Sequence, residues 1–566
     1  MCAQAVPDTR RDRAAGPDAP DRRRRGLLWA LGYGVAAVAL FFCYLRLSGT
    51  EKVTSDGASN ALQAWDMLHG NLLLHGWTLT DVSFWTTELP EYALVELVRG
   101  LGAVDVHIAA AVTYTLLVVL AGVVAKGRAS GREGLGRVLV ASGIMVAPQL
   151  GQGTLILLLA PDHTGTGVPL LAVWLVLDRG GRRWWVPPAV GLMLTWTLMG
   201  DRVAEVLAVA PLVLVFGCRA VRGLVRRGPR REAGFDAAMA AAAAAAYALS
   251  VLAGKLVAAL GGYRVLPVKL QAAPSLQIVG GNIGKTADGV LALFGAEFYR
   301  ATSGFVTAVS FAHLAGLGLA VAAVLIGIWR FGRSSGRSED PLVSVLAAGF
   351  VVNVAVYVLS TMPVTIWSTR EIAGVLPAGA VLAGRVLGGP LARRAASGRP
   401  RIRFWLRPLA AVVAAAYLAA LGYGTVQRQL PAEGQNLADW LTARHLADGL
   451  TGYGYGPTTT LASGGRVQLR QAAFSADAAA PGPEEYDRSW YDPRRHDATF
   501  LVLARQPGPF VSLTPAQARG IFGAPARVYP VGREFDVWTY TRNLLTHVRL
   551  RSGGRSRVVS PVHFLH

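Results

Sequence analysis

Cysteine is scarce in this chain: three residues, Cys2, Cys43 and Cys218, among 566. The last two lie in or at the end of apolar segments, so no disulfide framework is implied. Charge is scarce too, at 16% of residues against 52% hydrophobic. That balance excludes an ordinary soluble domain. Acids are the scarcer sign, with 35 Asp and Glu against 56 Lys and Arg, a formal net charge of +21. In a soluble protein such an excess would suggest nucleic acid. Here the arginines concentrate in short loops between apolar runs, as cytoplasmic loops do, so nucleic acid is not an expected partner. No internal repeat is evident. The glycines of VGGNIGK (279–285) do not have P-loop spacing.

Long apolar runs are what the chain has most of. Crossing roughly 30 Å of hydrocarbon takes about twenty residues, and the sequence predicts about eleven spans: 27–48, 105–126, 137–159, 167–178, 185–199, 203–218, 236–260, 305–329, 341–361, 371–388 and 408–424. The first follows a basic tail, 1–26, that resembles a signal-peptide n-region. The run after it is too long for an h-region and lacks a small-x-small exit, so it reads as an uncleaved span. Abundant Ala, Gly, Arg and Val suit a GC-rich bacterial genome.

Loop charge sets the expected orientation. KGRASGREGLGR (126–137), RGGRR (179–183), CRAVRGLVRRGPRRE (218–232), RFGRSSGR (330–337) and LARRAASGRPRIRFWLR (391–407) alternate with loops of another kind. With the arginine-rich N-terminus they belong on the cytoplasmic side of a plasma membrane. On the outer side the first loop, 49–104, is long and acidic. Glu51, Asp56, Asp66, Asp81, Glu88, Glu91 and Glu96 face only Lys52 and Arg99. The other outer loops carry PDHTGT (161–166), Gly200-Asp201-Arg202, the segment 262–302 and IWSTRE (366–371).

Residues 425–566 also belong outside, and their composition shifts toward polar residues, Tyr and Pro. QNLADWLTARHLADGL (435–450) has helical periodicity. PTTTLASGGRVQLR (457–470) reads as two strands around a Ser-Gly-Gly turn. ATFLVLAR (498–505) reads as a buried strand, and TPAQARGIFG (514–523) as a helix between Thr514 and Gly523. ARVYPVGREFDVWTYTR (526–542) alternates as a hairpin. About 140 residues can bury a core, so a small α/β domain is expected.

The stretch TSDGASNALQAWDMLHGN (54–71) follows the first span directly. As a helix over 57–70 it puts Ala58, Ala61, Leu62, Trp65 and Leu68 on one face, with Asp56, Asn60 and Gln63 along another. Such a helix is expected to lie flat in the headgroup region, with Trp65, Trp77 and Trp85 at that depth. Asp56 is either its N-cap or a functional acid at the rim of the bundle.

An acid just after the first span, followed by interfacial helices (57–70 and 79–99), resembles the type C (GT-C) membrane glycosyltransferases, which use polyprenyl-phosphate-linked sugars. The resemblance implies an all-α polytopic bundle with a small extracytoplasmic α/β domain, and an inverting transfer to a glycan, lipid or protein acceptor. Asp56 matches the family's catalytic acid, as general base. Many members pair two acids there, whereas Asp56 precedes Gly57, so the second would come from Glu88 or Asp81. A phosphate leaving group needs fixed positive charge, preferably arginine, and Arg370 is the outer-side candidate. Asp162, His163, Asp201 and Arg202 are candidate orienting groups; Trp85, Tyr92 and Trp367 are candidates for sugar stacking. A divalent metal is left open. The alternatives are a transporter or flippase for a lipid-linked or anionic substrate, and a non-catalytic envelope protein.

Overall fold

The computed structural model describes residues 19–550, apart from 228, 267–269, 302, 334–339, 397–399, 453, 475–477 and 507–512. Most of the basic tail therefore lies outside the described residues. Eight helices among those described are long and apolar enough to cross a membrane. They are Leu31–Ser48, Val104–Lys126, Glu205–Val225, Arg230–Ala259, Gly304–Arg333, Pro341–Val358, Val375–Arg394 and Pro408–Thr425.

Three of the expected spans differ. Segment 137–159 is broken into helices Gly131–Met145 and Gln152–Leu157. Pro148 has no N–H for the helical ladder, and Gly151 turns the chain at φ +88°. Gly167–Gly180 and Val186–Gly200 are single helices of 14 and 15 residues. At 1.5 Å per residue they are about 21–23 Å long, short of a full crossing.

Two other segments depart from the sequence reading. Segment 262–302 contains a helix, Leu276–Leu293, started by the Ser275 side chain accepting from the Ile278 N–H. VGGNIGK lies within it; its glycines had masked the helical period. The first loop holds helix Ser55–Leu68, strand β1 (Trp77–Leu79) and helix Leu89–Arg99. The second expected helix thus starts ten residues late, where Pro90 fixes the first turn.

The Ser55–Leu68 helix is largely enclosed by protein. Gly57, Ala58, Ser59, Asn60, Ala61, Gln63 and Ala64 are all buried. Ala58, Ala61 and Ala64 form one apolar cluster with Tyr92, Val106, Ala109 and Leu461. Small side chains let the helix sit between the bundle and the C-terminal region, and its polar stripe lines the space between them. Trp77 is likewise buried.

Six strands after Thr425 form one sheet. β3 (Asp448–Thr451), β4 (Gln468–Phe474), β5 (Ala479–Pro481), β7 (Phe500–Ala504), β8 (Arg527–Val531) and β9 (Phe535–Thr539) are ordered β5-β4-β3-β7-β9-β8. β3 is parallel to both β4 and β7, while β9 runs antiparallel to β7 and pairs with β8 in an antiparallel hairpin. Period-2 alternation in β7 sends Leu501 and Leu503 into one core and Phe500 and Val502 into the other. Helix Gln435–Ala443 and helix Pro515–Phe522, the latter with a Thr514–Gln517 capping box, complete the domain.

The segment 457–470 is a helix (Tyr455–Ala462) followed by β4, not two strands. Thr458 Oγ1 donates back to the Tyr455 carbonyl at 3.2 Å, so burial and local hydrogen bonds override the β preference of three threonines. A second sheet joins the domain to the bundle: β2 (Arg264–Val265), β1 and β6 (Tyr486–Asp487), in the order β2-β1-β6. Trp77 meets Trp490 edge to face at 5.0 Å beside it.

Leu501 is fully buried at the centre of the six-stranded sheet. Leu501→Ala should lower stability by about 2–5 kcal/mol, read as a lower thermal midpoint of the full chain. An unchanged midpoint would mean that the domain does not unfold with the measured transition.

Candidate functional site

Loops at one end of the helical bundle converge on one cluster of charges. Arg370, on the 3-10 turn Ile366–Ile372, donates from Nη2 to Asp56 Oδ2 and from Nη1 to Asp162 Oδ2, both at 3.0 Å. Asn60 Nδ2, one helical turn beyond Asp56, donates to the other oxygen of Asp162 at 2.8 Å. The helical period places Asp56 and Asn60 on one face, which is why both reach the same partners. The Asp162 side chain is 2% exposed, Arg370 18% and Asp56 37%. Asp56 is therefore the member of the trio that solutes reach.

His163 links this trio to a second set of carboxylates. Its Nδ1 lies 2.9 Å from Asp201 Oδ2 and its Nε2 3.2 Å from Glu371 Oε1. Burial alone would push the imidazole down, but Glu371 and Asp201 outweigh it and hold His163 well above its ordinary range. Burial would raise Asp201, yet the facing imidazole keeps it low. Thr166 Oγ1 lies 2.7 Å from Asp201 Oδ2 and 3.2 Å from Glu88 Oε1. Glu88 is fully buried, and burial followed by the Asp201 charge raises it well above the carboxylate range. A Cβ on Gly165 would sit 2.7 Å from the Glu88 side chain, so the close approach of this loop requires glycine.

The backbone is held under strain here. Six non-glycine residues among those described have positive φ. His163 (φ +58°), Phe84 (φ +50°) and Glu485 (φ +56°) are three of them. Phe84 packs edge-on against His163 at 5.2 Å. Such conformations cost about 1–3 kcal/mol each and cluster at functional sites.

Glu485 was not singled out by sequence reasoning. It comes from the C-terminal domain, immediately before β6, and is 4% exposed. Its pKa is raised well above the ordinary range, first by burial and then by the charge of Asp56. Its Oε2 has no hydrogen-bond partner among the described residues. Gln471 fixes the backbone on either side, donating to the carbonyls of Glu484 at 2.7 Å and Glu485 at 3.3 Å. No motif announces Glu485; only the pairing of β6 with β1 brings it to the first loop.

Not every expected residue joins the cluster. Arg202 turns away to Glu205, at 2.6 Å, and to Tyr247. Tyr92 is fully buried, so it is closed to a stacking sugar. Trp85 is half-buried, donates to the Leu72 carbonyl and leans on Tyr263. Trp367 is 37% exposed, with the Arg370 guanidinium 5.9 Å from its ring centre. Asp56 lies in the first turn of its helix with Thr54 at the N-cap, so it is not the cap. Asp81 is raised by burial and by Glu371, which puts it at the His163 side of the cluster. No group of three or more His, Cys, Asp or Glu among the described residues is arranged to hold a metal ion. Asp56, Asp162 and Asp201 are each already paired with a cation.

No protein-family model matches the chain, and no curated protein matches it in sequence. Solved structures do match in fold. ArnT from Cupriavidus metallidurans bound to undecaprenyl phosphate superposes with a TM-score of 0.53 at 13% identity, over 93% of this chain and 99% of that one. The oligosaccharyltransferase of Archaeoglobus fulgidus in its apo form gives 0.48 at 12% identity, over 84% and 69%. The mycobacterial arabinofuranosyltransferase AftD gives 0.37 at 15%, over 90% and 40%. The first likeness shows a GT-C-like fold, as the sequence resemblance implies.

Glu88 gives this site a pH signature. Its folded-state pKa exceeds the unfolded value, so the stability of its protonated form is full at low pH and lost as pH rises toward the raised pKa. Between about pH 5 and 8, wild type should lose more thermal stability than Glu88→Gln, which has no carboxyl to ionise. Parallel stability curves would contradict the protonated assignment.

Proposed function

We propose that the chain is a membrane glycosyltransferase, moving a sugar from a polyprenyl-phosphate donor to an acceptor hydroxyl on the outer face of a bacterial plasma membrane. The observation that carries this reading is the Arg370 guanidinium fixed between Asp56 and Asp162 at the rim of an apolar bundle. Arginine keeps its proton and offers paired donors to a phosphate. A 570 Å³ cavity between helices Leu89–Arg99, Val104–Lys126 and Gly167–Gly180 is lined by Leu94, Val98, Val112, Leu116 and Val168. It reaches Gly165, which packs against Glu88, and suits a lipid chain. The GT-C-like fold, and the undecaprenyl phosphate bound in ArnT, support the same class of donor.

In this scheme Asp56 accepts the acceptor hydroxyl proton. The acceptor oxygen bonds to the anomeric carbon as the carbon–oxygen bond to phosphate breaks, and the bonding electrons leave with the phosphate. Displacement in one step inverts the anomeric centre. Arg370 takes up the phosphate charge, so the donor competes with Asp56 and Asp162 for the guanidinium and frees Asp56 to act as base. Asp162 and Asn60 hold Arg370 in line, and the His163 imidazolium adds positive charge behind them. Glu485, its pKa raised by burial and by the charge of Asp56, donates a hydrogen bond to the acceptor. Trp367 offers the exposed ring beside Arg370.

The test is transfer of radiolabelled sugars from a panel of polyprenyl-phosphate donors to envelope extracts by purified protein. Asp56→Asn should lower kcat by about 100- to 10,000-fold with folding intact. Arg370→Lys, which loses the paired donors, should raise donor KM. Equal transfer by wild type and Asp56→Asn would remove Asp56 as base. No transfer from any donor would remove the donor class. For Glu485, Glu485→Ala should raise acceptor KM while Glu485→Gln, which keeps a donor, stays near wild type; equal values for the two would remove the hydrogen bond from the scheme.

A further inference from the structure

A second polar cavity, of 680 Å³, lies at the opposite end of the bundle from Asp56, among the basic loops. Five arginines line it: Arg128, Arg137, Arg182, Arg219 and Arg385. Four carboxylates also line it, and each faces an arginine, with Asp178 Oδ2 and Asp236 Oδ1 left without a hydrogen bond among the described residues. Glu133 takes Arg137 at 2.7 Å, and Asp340 takes Arg385 Nε at 2.8 Å. Asp178 takes the other end of Arg385, and Asp236 faces Arg219 at 3.4 Å. Arg128 is left with main-chain partners: its Nη2 donates to the carbonyls of Asp178 and Arg179 at 3.2 and 3.0 Å.

Two guanidinium N–H groups in this cavity are unsatisfied. Arg219 has a side chain 8% exposed, and its Nε faces Asp236 without the alignment of a hydrogen bond. Arg137 Nε is likewise buried without an acceptor among the described residues. Buried cationic donors with no acceptor are costly, and native structures rarely leave them so. Arg385, also buried, stands on a π-helical turn, Gly384–Gly388, that interrupts its helix. Such turns recur at functional sites. A Cβ on Gly384 or Gly388 would come within 2.6 Å of the Arg137 backbone, so glycine is needed for the turn to press Arg385 and Arg137 into one cavity.

We propose that this cavity binds a phosphate-bearing anion. Arginine forks match phosphate oxygens bidentately, and five guanidinium groups face this cavity, one of them, Arg182, also paired with Glu232 at 2.8 Å. The volume exceeds that of phosphate itself and admits the group that carries it. The phosphate belongs either to a lipid headgroup of the adjoining leaflet or to a water-soluble phosphate ester. This proposal is independent of the chemistry at Asp56.

The test uses the full chain in phosphatidylcholine nanodiscs and equilibrium dialysis with radiolabelled inorganic phosphate. The double variant Arg128→Gln/Arg137→Gln should weaken one saturable site about tenfold, a change of about 1.4 kcal/mol. Arg219→Lys should weaken it too, because a lysine lacks the fork. Arg128→Gln alone, at an exposed residue, serves if the double variant misfolds. Arg370→Lys should leave this site unchanged, which separates it from any phosphate bound near Asp56. In a second arm, part of the phosphatidylcholine is replaced by phosphatidic acid. Displacement of inorganic phosphate that depends on the same arginines identifies a lipid headgroup, and retained binding identifies a soluble ester. Absence of saturable phosphate binding by wild type, or equal binding by wild type and the variants, would overturn the proposal.

Discussion

One guanidinium organises this end of the molecule. Arg370 is mostly withdrawn from water, and a charge so placed is tolerated only when paired and hydrogen-bonded. Its two partners come from distant parts of the chain, Asp56 after the first span and Asp162 after the broken segment 137–159. Removing one partner of such a pair leaves an uncompensated charge, which is far more destabilising than the pair is stabilising. The loops must therefore meet here, and the packing around them serves that meeting. Ala58, Ala61 and Ala64 let the Asp56 helix sit deep enough, and Asn60 satisfies the oxygen of Asp162 that Arg370 leaves free.

The C-terminal domain is part of the same construction. Leu461 enters the cluster under the Asp56 helix, and β6 pairs with β1 of the first loop. These two contacts deliver Glu485, at a backbone angle that a glutamate rarely adopts, against Asp56. Glu485 meets the charge of Asp56 in a buried setting, and burial holds its pKa well above the ordinary range, while Asp56 keeps its guanidinium partner. A donor phosphate entering at Arg370 would shift that balance, which is how binding of the donor and readiness of the base become coupled in the proposed scheme.

The charged members of the site were legible in sequence because loop charge sorts by side. Arginines crowd one set of loops, so Asp56, Glu88, Asp162, His163, Asp201 and Arg370 stand out in the other; Asp56, Asp162 and Arg370 form one bonded trio, His163 pairs with Asp201, and Glu88 is reached through Thr166. Side-chain direction was not legible. Arg202 neighbours Asp201 in sequence but points to Glu205, and Tyr92 follows Glu88 by one helical turn yet faces inward. Glu485 was invisible because strand pairing between β1 and β6 spans some four hundred residues of sequence. The three buried threonines of Tyr455–Ala462 read as strand because their preference is β, whereas packing against the Asp56 helix fixes them as helix. The polytopic layout followed from hydrophobic run length and loop charge, and the GT-C resemblance from the acid after the first span, while the break in segment 137–159 followed from Pro148 and Gly151, whose effect on a span is local.

The central claim is that Arg370 is the ligand of a lipid-borne phosphate. It is tested most directly by a cryo-EM structure of the full chain in nanodiscs with undecaprenyl phosphate. The account predicts phosphate oxygens within hydrogen-bond distance of the Arg370 guanidinium, the lipid chain along Leu94, Val98 and Val112, and Asp56 released from its ion pair. Phosphate density elsewhere, with Arg370 still held by both Asp56 and Asp162, would contradict it.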